Sequence, residues 1–87
     1  MTGYEIGDHA AEQMRRRGIH ESVLGAVLAD PQQRQPIRPG RELLQSRIEF
    51  AGKVYLVRVI VDVDRQPAEV VTVYRTSRIA KYWRADS

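Results

Sequence analysis

The sequence predicts an α+β fold in which two N-terminal helices pack on a three- to four-stranded antiparallel sheet. Three observations support this prediction: apolar residues at helical spacing up to residue 29, a proline-rich polar stretch at residues 31–41, and alternation of apolar and polar residues from residue 44 onward. Helices that come before a run of strands with short turns are typical of α+β proteins. The length of 87 residues fits one domain, residues 1–87.

The first helix is predicted over residues 9–17. Asp8 is the expected N-cap, because its carboxylate can accept hydrogen bonds from the free amides of the first turn. Gly18 follows at the position where helices commonly end in the left-handed conformation, and Ile19 supplies the hydrophobic contact that accompanies such an end. The sequence therefore marks both ends of this helix.

The second helix is predicted to begin at His20 or Ser22 and to end near Ala29, with an apolar stripe on one side. His20 is expected to serve as a helix cap rather than as a catalyst. Residues 31–41 contain three prolines and one glycine, which predicts a loop with at most a short extended piece at residues 35–38.

Residues 44–50, 53–63 and 69–75 are predicted to form an antiparallel meander, since short turns join them. Residues 53–63 are apolar on both faces, which is typical of a central strand. Tyr4–Ile6 alternates and predicts either a short edge strand or a tail. Residues 77–83 are expected to dock on the sheet as a short helix or an extended segment.

The charge distribution suggests a phosphate-rich partner. The net charge is +3 and the pI about 9.7, and twelve of the fourteen basic residues are arginine. Arginine binds phosphate through two hydrogen bonds in a fixed fork, so RNA is one expected partner. An arginine-rich codon usage explains the same composition, and the dipole of the first helix explains three consecutive arginines at its C-terminal end.

Several classes of protein are disfavoured by the sequence. There is no cysteine, which excludes disulfides and thiolate metal sites and favours a reducing cytoplasm. No apolar run approaches the roughly 20 residues that span a bilayer, so no membrane partner is expected. The chain has no glycine-rich phosphate loop, no HExxH motif and no nucleophile elbow. We therefore predict no metal and no cofactor.

The remaining candidates suit metal-independent cleavage of RNA. The ribose 2′-hydroxyl is the nucleophile in this reaction, so the protein supplies a base, an acid and cations for the charge that develops on phosphorus. Histidine titrates near neutral pH and can act as base or acid, which makes His9 the first candidate. The alternative is that His9 only packs or hydrogen-bonds at the start of the helix.

Arg58 interrupts the apolar run of the expected central strand, where an unpaired charge is costly. A phosphate clamp explains its presence, and so does a salt bridge to Glu49. Thr72 and Tyr74 alternate onto one face of the last strand, which ordinary β-propensity also explains. Together with Arg47, these residues are expected to line a partly polar sheet face opposite the helices.

A set of short motifs spans most of the chain: His9-Ala10, Met14, Arg17-Gly18-Ile19, Val23, Leu28, Pro31, LVRVIVD and VVTVYRT. In order and spacing these motifs resemble a bacterial family catalogued as domain of unknown function 4258, over residues 5–83. That family looks related to the fold shared by barnase-like, colicin-like and RelE-like ribonucleases. Its members include toxin domains of secretion systems and small proteins similar to toxins of toxin–antitoxin pairs.

The resemblance implies an RNA-cleaving toxin that an antitoxin protein neutralises by covering the basic groove. The catalytic residues it implies are His9, Arg17, Arg58, Thr72 and Tyr74. The basic residues expected to bind the substrate are Arg16, Arg47, Arg75, Arg78 and Lys81. The family commonly places an arginine four residues after this histidine, where the chain has Gln13. Either Arg16 or Arg17 then supplies the charge, or the activity is weak or absent.

Two other functions remain open at the level of sequence. One is a non-catalytic module that binds RNA or protein with the same face. The other is an inactive member of the family that serves in assembly as a homodimer.

Overall fold

The computed structural model describes residues 3–85, which contain three helices and five strands. In chain order these elements are β1 (Tyr4–Ile6), α1 (Asp8–Arg17), α2 (Glu21–Ala29), β2 (Gln33–Arg38), β3 (Arg41–Phe50), β4 (Lys53–Asp62), β5 (Ala68–Thr76) and α3 (Ile79–Tyr82). The predicted α+β class is confirmed.

The strands form one mixed sheet with the order β1-β5-β4-β3-β2. The pairs β2–β3, β3–β4 and β4–β5 are antiparallel, whereas β1 runs parallel to β5. The predicted antiparallel sheet of three to four strands is therefore wrong in strand number and in the direction of β1. Of the two readings of Tyr4–Ile6, the edge strand is confirmed.

The predicted loop at residues 31–41 is largely a strand. Its segment Gln33–Arg38 pairs with β3 at the edge of the sheet, and the pairing is irregular between Pro36 and Arg38. Proline lacks an amide hydrogen but is tolerated on an edge strand, where one side of the backbone has no strand partner. The prolines of residues 31–41 favoured the prediction of a loop, whereas pairing with β3 stabilises a strand there.

The helices are not confined to the N-terminal part of the chain. β1 precedes α1, and α3 follows β5. The N-cap of α1 is Gly7, not Asp8, which is the first residue of the helix. The Gly7 amide donates a hydrogen bond to the carbonyl of Val70 (2.9 Å), so β5 holds the chain at the start of α1. Gly18 ends α1 in the left-handed conformation, with φ 65° and ψ 36°, as predicted.

The cap of α2 agrees with the sequence prediction for His20. The ring Nδ1 of His20 accepts a hydrogen bond from the amide of Ser22 (3.1 Å), and α2 begins at Glu21. This contact satisfies one of the amides that a helix leaves unpaired at its start. His20 is therefore the exposed N-cap of α2, as predicted.

The main core lies between the first two helices and one face of the sheet. Its buried members are Ala10, Met14, Ile19, Leu24, Val27, Leu28, Leu44, Val57, Val59, Val61, Val70 and Val73. A register shift between Ile60 and Val61 lets Val70 and Val73 face the same core although they are three residues apart. Leu43 and Leu56 are buried on the other face of the sheet, the face on which Gln45 donates to the carbonyl of Tyr82. None of the helices in residues 3–85 is long and apolar enough to cross a membrane.

Candidate nucleic-acid interface

An open groove of about 810 Å³ lies between α1 and the end of the sheet where β4 begins and β5 ends. Its lining residues are His9, Gln13, Arg16, Arg17, Tyr55, Arg75, Thr76 and Ser77. The lining has an imidazole, three guanidinium groups and three hydroxyls, and it has no carboxylate. A concave surface of this composition suits an anionic ligand.

The helical spacing of α1 places its polar residues along the groove. The four that line it are His9, Gln13, Arg16 and Arg17. Residues separated by three or four positions share one side of a helix, so these four form a continuous strip. Ala10 and Met14 occupy the adjacent side and are buried in the core. Packing of the apolar side therefore orients the strip towards β5.

Gln13 fixes the position of α1 against β5. Its Oε1 atom accepts a hydrogen bond from the amide of Val73 (3.0 Å). β1 pairs with β5 only at residues 68–70, so Val73 lies beyond the pairing with β1. At residues 68–70 the strand β1 pairs with β5, whereas at Val73 the side chain of Gln13 accepts the hydrogen bond of the backbone amide. The position at which the resemblance implied an arginine serves here to attach the helix.

Two of the three groove arginines are not neutralised by the protein itself. Glu12 accepts a salt bridge from Arg15, and its Oε1 lies 3.7 Å from Nε of Arg16. Within residues 3–85, neither Arg17 nor Arg75 has a carboxylate within salt-bridge distance. Their charges remain available to a ligand in the groove.

Arg58 lies on the opposite face of the sheet and takes part in a polar network. Its Nε donates to Oε1 of Gln45 (3.0 Å), and a terminal nitrogen donates to the hydroxyl of Tyr74 (2.7 Å). Its guanidinium carbon is 4.2 Å from the ring centroid of Tyr82. In the described part of the chain Arg58 makes no salt bridge, so the suggested pairing with Glu49 is wrong.

Two buried glutamines extend this network to the C-terminal segment. Nε2 of Gln45 donates to Oε1 of Gln33 (2.7 Å) and to the carbonyl of Tyr82 (3.2 Å). Gln33 in turn donates to the carbonyl of Arg84 (2.6 Å) and accepts from its amide (3.1 Å). Sequence reasoning missed both glutamines, since an uncharged polar residue in an alternating strand gives no signal of burial.

The structure divides the predicted site residues between two faces of the sheet. Those that line the groove are His9, Arg16, Arg17 and Arg75. Those on the opposite face are Arg47, Arg58, Thr72 and Tyr74, as their register with one another requires. The prediction that these four share the face opposite the helices is confirmed. The five residues predicted as catalytic, however, are not brought together in one site.

The remaining predicted contacts belong to the C-terminal segment. Arg78 is the exposed N-cap of α3, and the ammonium of Lys81 lies 5.3 Å from the ring centroid of Tyr82. The guanidinium of Arg47 lies 4.1 Å from the ring centroid of Trp83. None of these side chains lines the groove.

The clearest pKa shifts lie outside the groove. Nε and a terminal nitrogen of Arg41 donate to the two carboxylate oxygens of Asp62, at 2.6 and 3.0 Å. These hydrogen bonds lower the pKa of Asp62 and raise the pKa of Arg41 from their ordinary values. The pair joins β3 to β4 at the end of the hairpin far from its turn, so its role is structural. Among residues 3–85, no three His, Asp or Glu side chains form a group that could hold a metal ion.

Comparison with known proteins places the chain in a family. Residues 6–75 match the family described as Domain of unknown function (DUF4258), and the chain belongs to this family. The matched region includes the last residue of β1, both long helices, β2 to β4 and all of β5 except Thr76, while α3 lies outside it. No curated protein and no solved structure matches the chain.

Proposed function

We propose that this protein binds RNA in the groove between α1 and β5 and cleaves it as a metal-independent endoribonuclease. One observation carries the proposal: the imidazole of His9 shares a carboxylate-free groove with Arg16, Arg17 and Arg75. Proton transfer and neutralisation of phosphate are the two requirements of RNA cleavage through the ribose 2′-hydroxyl. The groove has side chains for both.

The reaction needs no nucleophile from the protein. The 2′-hydroxyl loses its proton and its oxygen forms a bond to phosphorus, while the bond from phosphorus to the 5′-oxygen breaks and that oxygen takes a proton. The products are a 2′,3′-cyclic phosphate and a 5′-hydroxyl. His9 moves a proton in one of these two transfers, and the arginines donate hydrogen bonds to the phosphate oxygens on which charge develops.

The relation to RelE-like and barnase-like ribonucleases, and a role as a toxin held by an antitoxin protein, belong to this proposal. They are supported by the sequence motifs and by a helix pair packed on one face of an antiparallel β2–β5 meander. An antitoxin that acts on the groove needs an acidic surface, because the groove itself has only basic and neutral side chains.

A non-catalytic RNA-binding module is the second candidate. It is favoured by the position of Tyr74, one of the residues predicted as catalytic, on the face of the sheet away from His9. It is also favoured by Gln13, which occupies the expected arginine position with a neutral side chain bound to the backbone of β5. In this case the groove retains phosphates without acting on them.

Incubation of a single-stranded RNA with purified protein and a metal chelator tests the enzyme. We expect fragments with 2′,3′-cyclic phosphate ends, and we expect His9→Ala to slow cleavage about a hundredfold or more, as removal of a general acid or base does. His20→Ala is the matched control, because the second histidine caps α2 away from the groove and should leave the rate unchanged.

Intact RNA with the wild-type protein would exclude the enzyme. If that RNA is still bound with an affinity that falls steeply with salt, the binding module is supported. Equal rates for wild type and His9→Ala would show that cleavage, if seen, does not use the groove imidazole.

A further inference from the structure

Arg75 differs from the other groove arginines in having a rigid aromatic support. Its guanidinium carbon lies 4.3 Å from the ring centroid of Phe50 and 4.7 Å from that of Tyr55. The two rings are 5.6 Å apart and meet edge to face at 86°, so they form a corner around the guanidinium. Distances of this size are within the range of cation–π contacts.

The sheet holds the three side chains in this arrangement. Tyr55 pairs with Ile48 and Phe50 pairs with Lys53 across the β3–β4 hairpin, and Arg75 lies diagonally across from Tyr55 on β5. Ala51 and Gly52 close the hairpin with positive φ angles of 50° and 86°, which suits the tight turn that keeps this register. The corner is therefore part of the sheet rather than of a loop.

The contacts of Arg75 leave its hydrogen-bond donors unused. In the part of the chain that the structure describes, its guanidinium makes no hydrogen bond and no salt bridge, although the residue is half-buried and lines the groove. A guanidinium has five N–H donors in a planar fork that matches two oxygens of a phosphate. By contrast, the side chain of Arg16 is 73% exposed and lies near Glu12.

We propose that Arg75 is a preformed receptor for one phosphate of a nucleic-acid strand, and that Phe50 and Tyr55 are the residues that position it. The inference rests on the proposed function in taking nucleic acid as the ligand. Because the guanidinium already fills the corner between the rings, the corner presents N–H groups to a phosphate and does not serve for stacking of a base. Support of the side chain before binding reduces the entropy that binding must remove.

This role requires arginine and not only a positive charge. Lysine at position 75 keeps the charge, but it lacks the planar fork and the stacking against the rings. The requirement separates a specific receptor from general attraction between a basic surface and RNA, in which lysine and arginine are nearly equivalent.

Binding of a short fluorescent oligodeoxythymidylate, measured by anisotropy over a range of salt concentrations, tests the proposal. This DNA lacks the 2′-hydroxyl, so the proposed cleavage cannot occur during the measurement. We expect Arg75→Lys to weaken binding about tenfold with an unchanged salt dependence, because the charge is kept and the fork is lost. Arg75→Gln should weaken binding at least as much and lower the slope of log affinity against log salt by about 1.

The aromatic corner is tested with a pair of substitutions at Tyr55. Tyr55→Phe keeps the ring and should bind as the wild type does, whereas Tyr55→Leu should weaken binding several-fold. Tyr82→Leu is the control, since Tyr82 contacts Arg58 on the opposite face and should not alter binding. Circular dichroism and thermal unfolding of each variant show whether it is folded.

Wild-type affinity in Arg75→Lys would overturn the receptor, and so would equal losses in Tyr55→Phe and Tyr55→Leu. These results are independent of cleavage. Arg75 can act as a phosphate receptor in a protein that cleaves no RNA. Conversely, cleavage that depends on His9 can occur in a protein whose Arg75→Lys variant binds DNA with wild-type affinity.

Discussion

The side chain of Gln13 illustrates what a single residue contributes to the groove. Position 13 stood out in the sequence because the resemblance implied an arginine there. The sequence did not reveal that the amide oxygen of Gln13 accepts a hydrogen bond from the Val73 amide (3.0 Å). That contact depends on how α1 lies against β5, which no local pattern specifies. His20 was easier to interpret, since helix caps are set by neighbouring residues. The cap of α2 was therefore predictable, whereas the cap of α1 at Gly7 and the contacts between distant elements were not.

We expect Gln13→Ala to lower the free energy of unfolding by about 1–3 kcal/mol, because the amide of the buried residue Val73 loses its acceptor. Chemical denaturation measures this loss. Gln35→Ala is the control: in residues 3–85 the side chain of Gln35 makes no hydrogen bond, so the change should stay within about 0.5 kcal/mol. Equal stability of wild type and Gln13→Ala would show that the contact does not hold the helix.

At the scale of helices and strands, the periodic segments were predicted and the short or irregular ones were not. The alternation of apolar residues located β3, β4 and β5 to within about three residues at either end. β1 has only three residues, and its pairing with β5 depends on the whole intervening chain. β2 contains Pro36, which in isolation favours a loop. The stability of both edge strands comes from their partners, so their own sequences carry little signal.

The C-terminal segment provides a test at this scale, because polar contacts attach it to the sheet. Gln33→Ala removes both hydrogen bonds to the backbone of Arg84. We expect the segment to loosen, so that the fluorescence of Trp83 shifts to longer wavelength and is quenched more readily by acrylamide. The chain has one tryptophan, so the signal reports on this segment alone.

The same change should leave the groove intact, and binding of oligodeoxythymidylate should equal that of the wild type. An unchanged tryptophan spectrum in Gln33→Ala would mean that the glutamine contacts do not hold the segment. Gln35→Ala on the same strand provides the comparison, because in residues 3–85 the side chain of Gln35 makes no hydrogen bond.

At the scale of the whole molecule, the sheet separates two polar regions whose residues were predicted to form one catalytic site. Arg58 and Tyr74 form part of a network with buried glutamines and α3, while His9 and Arg75 face the groove on the other side. Alternation along a strand predicted the two sides for β4 and for β5 from Thr72 onward. It was wrong for Val70, which the register shift between Ile60 and Val61 places on the same side as Val73. The side on which α1 would place His9 was not predictable, because it depends on the packing of the helix. Family membership was predictable because motifs in α1, β4 and β5 lie in the matched residues 6–75.

A cellular test follows from the proposed toxin function. Induced expression of the wild-type protein without a neutralising partner should arrest bacterial growth, because RNA is cleaved. His9→Ala should relieve the arrest at equal protein level, and His20→Ala should not. Plate counts and immunoblots after induction measure both quantities. Normal growth with abundant wild-type protein would exclude the toxin.

The parallel pairing of β1 with β5 has a consequence for the timing of folding during synthesis. The amide of Gly7, the N-cap of α1, donates a hydrogen bond to the carbonyl of Val70, and the side chain of Gln13 accepts one from the amide of Val73. α1 can therefore pack in its native position only after β5 has emerged from the ribosome. The groove cannot form before β5 has been made, although its histidine comes earlier in the chain. A protein that attacks RNA would thus stay inert until β5 has emerged from the ribosome.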